Sequence, residues 1–136
     1  MQKLEVPPHV NAFLVCREIF QDKLTGEYIL VGPTNGFTAP EFPCATRVAI
    51  YGDLSEVRGE YFPALRLLDP DGDPIWSDRA PRALNDVGPL GHHHFVFHGS
   101  MLPLPRPGRY DLLLMAGATE IARQGLEVSQ TGVAGR

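Results

Sequence analysis

The sequence predicts an all-β protein, more specifically a two-layer antiparallel β-sandwich of the immunoglobulin-like kind with about eight short strands. Its 14 glycines and 13 prolines stand in scattered short clusters, which divide the chain into pieces too short for long helices. Between these clusters lie short runs rich in β-branched and aromatic residues, and no helical pattern of about 10–15 residues separates any two of them. We therefore expect one domain over residues 1–136, with its core at roughly residues 10–129 and loose ends.

Three strands are predicted in the first half of the chain, at residues 10–20, 27–32 and 45–51. The first strand carries apolar side chains on both faces, so we expect it to be central in its sheet or covered by a neighbour. One face holds Ala12, Leu14, Cys16 and Phe20, and the other holds Phe13, Val15 and Ile19. Residues 33–43 are predicted to be a long irregular loop, and residues 52–59 a second loop.

A β-hairpin over residues 60–78 is predicted to supply strands four and five, with the only tryptophan, Trp76, on the second of them. Its turn, Asp69-Pro70-Asp71-Gly72, has the residue types that a type I turn favours at its first, second and fourth positions. A second long connection follows at residues 80–91. The last three strands are predicted at residues 92–98, 109–117 and 120–129.

Charge and cysteine content limit the possible partners and the location. The net charge is −4 and the basic residues are scattered, which argues against a nucleic-acid or anionic-membrane surface. No run approaches the roughly 18 apolar residues of a membrane helix, and the N-terminal segment lacks the apolar core of a signal peptide. We therefore expect a cytoplasmic protein whose two cysteines, Cys16 and Cys44, are free thiols.

The strand GHHHFVFHG is the sharpest candidate for chemistry. Alternation places His92, His94 and His98 on one face and Phe95 with Phe97 on the other. His92 and His94 would be about 7 Å apart and could begin a site for a transition metal such as zinc, whereas His98 is about 20 Å from His92 and could not share the ion. The competing interpretation is a polar, solvent-facing stripe opposite an aromatic core face, and no cofactor is then expected.

The acidic residues of the hairpin turn suggest calcium at first, because calcium prefers oxygen-rich loops. An EF-hand loop, however, has glycine at its sixth position and glutamate at its twelfth. Here Gly72 is fourth and Ala80 is twelfth, counted from Asp69. The sequence therefore favours a structural turn.

Motifs of nucleophilic, nucleotide-binding and zinc-protease sites are not found, so the sequence leans away from an enzyme without excluding one. The aromatic residues Phe37, Phe42 and Trp76 are typical of core or loop anchors, and they are also candidates, with His98, for an interaction surface. Long loops on a rigid sandwich are a usual place for recognition, and an exposed edge strand can recruit a partner by strand addition.

Three segments resemble a family of small uncharacterised bacterial β-sandwich proteins. These are the loop that closes on Phe42-Pro43, the turn from Asp69 to Gly72, and the Pro-Gly-x-Tyr strand entry at residues 107–110. The resemblance covers roughly residues 10–129. It implies the sandwich fold, and it carries no activity.

The leading functional hypothesis is a non-enzymatic binding or interaction module whose partner is an unidentified protein, with a homodimer as one form. One alternative is a small metal-binding protein or metal-dependent enzyme using His92 and His94. The other is a small-ligand carrier with a pocket between the two sheets, lined by aromatic side chains.

Overall fold

The computed structural model of the protein describes residues 7–85 and 91–131, and nine β-strands lie within them. In chain order they are β1 (His9–Gln21), β2 (Tyr28–Pro33), β3 (Gly36–Ala39), β4 (Cys44–Ser55), β5 (Ala64–Leu68), β6 (Pro74–Arg79), β7 (His92–Leu104), β8 (Gly108–Ala116) and β9 (Thr119–Gln130). The described residues contain no helix long and apolar enough to span a bilayer.

The strands form two sheets, which confirms the predicted all-β sandwich. The four-stranded sheet has the order β2-β1-β4-β7, and the five-stranded sheet has the order β3-β9-β8-β5-β6. All pairs are antiparallel except β3 with β9, which run parallel. The count of about eight strands missed β3, since its four residues, Gly36–Ala39, lie in the segment predicted to be irregular.

A hydrogen-bonded tyrosine at the entrance to β8 supports the immunoglobulin-like classification. The Tyr110 hydroxyl donates to the carbonyl oxygen of Arg106 at 2.5 Å, and the Arg106 amide donates back to that hydroxyl at 3.1 Å. This arrangement is the tyrosine corner of immunoglobulin-like sandwiches, in which a tyrosine near the start of a strand bonds to backbone a few residues upstream. The Pro-Gly-x-Tyr entry seen in the sequence therefore has a structural purpose.

The main core lies between the sheets and receives side chains from both of them. From the four-stranded sheet, Phe95 and Phe97 enter it with their rings edge to face and 5.8 Å between centroids. From the five-stranded sheet, Leu112 and Leu114 are fully buried. The predicted inward face of the histidine strand is thus confirmed.

Two predicted strands are longer than the sequence indicates, because they pair with each other. The β4–β7 ladder runs from Ser55 opposite His92 to Cys44 opposite Leu104. The ladder continues past glycines that suggest strand ends, such as Gly99. Gly99 has φ +61° and lies opposite a register shift between Val48 and Ile50. The prediction of a loop over residues 52–59 was therefore wrong for its first four residues.

The two long connections differ from the predicted loops in detail. Residues 33–43 include β3 and a cis peptide bond between Phe42 and Pro43. In the connection over residues 80–91, Leu84 forms an isolated antiparallel bridge with Tyr61, and residues 86–90 lie outside the described part of the chain.

The predicted hairpin turn at residues 69–72 is confirmed, and its aspartates build it. The Gly72 amide donates to the Asp69 carbonyl oxygen at 2.8 Å, and Oδ1 of Asp69 accepts from the amides of Asp71 and Asp73 at 2.9 Å each. Gly72 has φ +87°, a conformation that favours glycine. The Asp69 carboxylate therefore has a structural part in the tight turn, to which Asp71 and Asp73 contribute backbone amides.

The first strand changes partner at Cys16, and this positions the candidate site. Residues 9–16 pair with β4, and from Cys16 onward the strand pairs only with β2. Ile19 then packs beside Cys16 on the outer face of the four-stranded sheet, although alternation placed Ile19 with Phe13 on the opposite face. That face prediction was wrong because the alternation of β1 does not continue across the point at which the strand exchanges β4 for β2 as its partner.

Candidate functional site

The outer face of the four-stranded sheet carries a second, smaller core under a β-hairpin, which we call the hairpin arm (residues 17–33). Ile19, Tyr28 and Leu30 on the inner side of the arm pack on Cys16 and Ala49 of the sheet. Ile19 lies opposite Leu30 across the two strands, as expected for side chains on one face. The arm is thus held to the sheet by apolar contacts of its inner side.

The outer side of the arm is also apolar, but it is exposed. Phe20 and Ile29 lie opposite each other across β1 and β2, and 51% and 49% of their surfaces are accessible. Leu24 at the tip is 96% accessible. These three residues, named here the apolar strip, are three of the four large exposed apolar side chains in the described residues; the fourth is Met101.

The tip that carries Leu24 is ordered by its own hydrogen bonds. Oδ1 of Asp22 accepts from the amides of Leu24 at 2.7 Å and of Thr25 at 3.2 Å. Two backbone bonds, from Gly26 to the Asp22 carbonyl and from Asp22 to the Glu27 carbonyl, close the loop at 2.8 Å each. Leu24 is therefore presented to solvent by a loop with a defined conformation.

A pocket of about 400 Å³ lies between the arm and the sheet. Three rings line it: Tyr28 from the arm, Tyr51 from β4 and His94 from β7, with centroids 5.8–6.1 Å apart. The Tyr51 hydroxyl and Nδ1 of His94 are 2.5 Å apart, so each satisfies the other. Burial, followed by the charge of Asp53 and by Tyr28, raises the pKa of the Tyr51 hydroxyl above its usual value.

The pocket lies on the outer face of the sheet, whereas the hypothesis of a small-ligand carrier placed a pocket between the sheets. Between the sheets, buried side chains such as Ile50, Leu65 and Leu102 pack into one cluster. A small ligand would therefore enter under the arm.

The predicted metal ligands are close together and already have partners. The rings of His92 and His94 stack with centroids 6.3 Å apart. Nδ1 of His92 lies 3.0 Å from Oδ1 of Asp53, and Nδ1 of His94 faces Tyr51. Within the described residues, neither histidine belongs to a set of three His, Cys, Asp or Glu ligand atoms lying within 4.8 Å of one another. Metal binding by this pair stays a prediction.

The one such set in the described residues is Asp69, Asp71 and Asp73 at the turn between β5 and β6. The Arg106 guanidinium lies 2.6 Å from Oδ2 of Asp71 and 3.8 Å from Oδ2 of Asp69. A cation of the protein itself therefore already neutralises part of this acidic group.

The residues predicted for an interaction surface lie in two environments. Phe37, Phe42 and Trp76 are partly buried and pack against the main core. His98 is exposed and lines a shallow depression with the basic side chains of Arg17 and Arg47. Their roles in an interaction stay predictions.

Sequence reasoning missed the apolar strip, although one signal pointed to it. Both strands of the arm place neighbouring apolar residues on opposite faces, Ile19 with Phe20 and Ile29 with Leu30. A two-stranded arm can bury only one of these faces against the sheet. Such doubled apolar pairs therefore predict that one member of each pair remains exposed.

Comparison with known proteins leaves the activity open. No curated protein was found to match the chain. Among solved structures, an immunoglobulin-like protein from Pseudomonas aeruginosa is similar, with 16% sequence identity and a TM-score of 0.45 over 93% of this chain and 99% of that chain. A family model described as "Family of unknown function (DUF6941)" matches residues 11–129, which is most of the sequence, and the protein therefore belongs to that family.

Proposed function

We propose that the protein is a non-enzymatic binding module that contacts another protein chain through the apolar strip of its hairpin arm. The observation that carries the proposal is the exposure of Phe20, Leu24 and Ile29 on one small element. Exposed apolar side chains grouped in this way are typical of protein–protein contacts, whereas single ones are common on any surface.

The order of the arm favours recognition over incidental exposure. Asp22 fixes the tip through its side chain and backbone, and Ile19 and Leu30 anchor the strands to the sheet. A surface that is already ordered loses less conformational entropy on binding, so more of the contact energy appears as affinity.

The free edge of β2 supplies a second means of attachment. Among the described residues, β2 pairs only with β1, and its six residues, Tyr28–Pro33, carry no charge. Edge strands that avoid association are commonly protected by charged side chains. An extended partner segment could therefore add to β2 through backbone hydrogen bonds while its side chains cover Phe20 and Ile29.

The test compares the wild-type protein with the triple variant Phe20→Ser, Leu24→Ser, Ile29→Thr. Sedimentation velocity over a concentration series measures self-association, since a second copy is the simplest partner. In parallel, the immobilised wild-type protein captures partners from extracts of the source organism. Each captured protein is then purified, and its affinity is measured for the wild type and for the triple variant. Removing a central apolar contact costs about 2 kcal/mol, so we expect the triple variant to bind about 30-fold or more weakly.

Met101→Ser is the matched control, because Met101 is a similarly exposed apolar residue (50%) that lies on β7, away from the arm. It should leave binding unchanged. A wild-type protein that stays monomeric at high concentration, and that has no partner sensitive to the triple substitution, would refute the proposal.

A further inference from the structure

The pocket under the hairpin arm has a chemistry distinct from that of the apolar strip. The arm presents Phe20 and Ile29 on its outer side, while the pocket opens on its inner side, between Tyr28 of the arm and Tyr51 of the sheet. Binding of a ligand in the pocket is therefore independent of any protein contact made by the apolar strip.

Three aromatic rings define the wall of the pocket. Tyr28, Tyr51 and His94 form a nearly regular triangle, with centroid distances of 5.8, 5.8 and 6.1 Å. Their planes are inclined at 34–59° to one another, so none of the three rings lies flat against another. All three rings line the pocket, so a group bound in it would lie beside aromatic side chains.

The charges around the rings are negative. Glu27 lines the pocket directly, and the described lining residues include no lysine or arginine. Asp53, on the same face of β4 as Tyr51, acts electrostatically on the Tyr51 hydroxyl. A cation entering here would find carboxylates nearby, in a protein whose net charge is already −4.

Ring faces attract cations through their quadrupoles, and cages of aromatic residues are a known means of holding quaternary and methylated ammonium groups. Hard metal ions instead prefer several carboxylate or carbonyl oxygens, and Glu27 is the one carboxylate among the described lining residues. A volume of about 400 Å³ is within the usual range of small-ligand sites.

We propose that the pocket formed by Tyr28, Tyr51 and His94, with Glu27 at its border, binds an organic cation of the alkylammonium class. The positive group lies against the three rings, and Glu27 balances its charge. Such a group exists both in free small molecules and on lysine side chains of proteins. The site would recognise the alkylammonium group itself in either case.

The experiment titrates the wild-type protein with three probes by isothermal calorimetry and NMR. Choline represents a free small-molecule cation, and a short peptide with one trimethyllysine represents a cation on a protein side chain. The third probe, 3,3-dimethylbutan-1-ol, is the neutral analogue of choline. We expect saturable binding of one or both cations and much weaker binding of the neutral analogue. Binding of the peptide alone identifies a protein side chain as the source, and binding of choline shows that the cationic group suffices.

Variants locate the site. Tyr28→Leu removes one ring and Glu27→Gln removes the charge at similar size; since a cation–π contact is worth about 0.5–2 kcal/mol, we expect the ring variant to bind about 2- to 30-fold more weakly. Met101→Ser is the control, because Met101 is exposed on β7 and is not among the residues that line the pocket, and it should bind as the wild type does.

If Tyr28→Leu does not fold, the wild-type protein still provides the test, through the NMR shifts of the Tyr28 and Tyr51 ring protons during the choline and peptide titrations. Equal binding of the neutral analogue, or saturation by neither cation, would overturn the inference. So would ring-proton signals of Tyr28 and Tyr51 that do not move.

Discussion

The ring of Phe95 occupies the space beside Gly52, its partner across β4 and β7. A Cβ atom at Gly52 would overlap the ring. The same register places Tyr51 opposite Val96 and Asp53 opposite His94, with the intervening residues turned into the core. The register that sets Phe95 against Gly52 in the interior therefore also brings Tyr51, Asp53 and His94 together on the outer face.

Gly52→Ala tests this relationship. The added methyl group must displace Phe95 in a packed interior, and overpacking of this kind costs about 1–3 kcal/mol in the free energy of unfolding. Urea denaturation followed by Trp76 fluorescence measures the change. Gly36→Ala in β3 is the control, since its Cβ would lie 3.5 Å from the Glu127 carbonyl oxygen, an ordinary contact. Equal stability of both variants would show that Phe95 relaxes without cost.

Two tyrosines with opposite hydrogen bonding give a matched pair of predictions. Tyr61 is 1% accessible, and among the described residues its hydroxyl has no hydrogen-bond partner. Tyr110 is equally buried and bonds twice to Arg106. We expect Tyr61→Phe to raise the free energy of unfolding by about 1 kcal/mol and Tyr110→Phe to lower it by about 1–3 kcal/mol. Changes of the same sign in denaturation experiments would contradict this assignment.

Tyr61 also predicts a loss of stability at alkaline pH. Burial raises the pKa of its hydroxyl well above the usual value of about 10. Above pH 10 or so the unfolded chain ionises Tyr61 while the folded protein does not, so the stability contribution is complete below that pH and falls as the pH rises.

The expected slope from this single group is about 1.4 kcal/mol per pH unit. Urea denaturation between about pH 8 and about pH 11 should show a shallower decline in Tyr61→Phe than in the wild type. Tyr51→Phe is the comparison, because the Tyr51 pKa is also raised and its contribution must be separated. Identical pH profiles for Tyr61→Phe and the wild type would exclude Tyr61 as a source of the decline.

Local sequence patterns were sufficient where a structural feature depends on near neighbours. Alternation along the histidine strand correctly placed Phe95 and Phe97 inside, because a strand's side-chain period is two wherever the strand is regular. The turn at residues 69–72 was predicted for a similar reason, since Asp69 and Gly72 determine it within four residues.

Features that depend on distant pairing were not predictable in this way. β3 pairs with β9 through Phe37 opposite Val128, more than ninety residues away. The pocket gathers Tyr28, Tyr51 and His94 from three strands only because β1 leaves β4 at Cys16. Nothing in the alternation of β1 marks that change of partner. The aromatic residues could therefore be recognised in the sequence, but their proximity in the fold could not be predicted.

A transition metal at His92 and His94 is one of the alternatives that the sequence leaves open. We expect protein purified without an affinity tag to contain no stoichiometric zinc, iron or copper. Nδ1 of His92 faces Asp53 and Nδ1 of His94 faces Tyr51, so a metal would have to bind through Nε2 of each ring. Protein zinc sites also use three or four ligands, and among the described residues neither histidine belongs to a set of three ligand atoms that all lie within 4.8 Å of one another.

Elemental analysis of the tag-free protein, followed by zinc titration of wild type and His94→Ala, measures this directly. His9→Ala is the control, because His9 lies at the exposed start of β1 and outside the histidine strand. About one equivalent of zinc per chain that is lost in His94→Ala and kept in His9→Ala would reverse the expectation. Zinc would then bind through Nε2 of the histidine rings, and Asp53→Asn should weaken it, because the Asp53 carboxylate orients His92 through Nδ1.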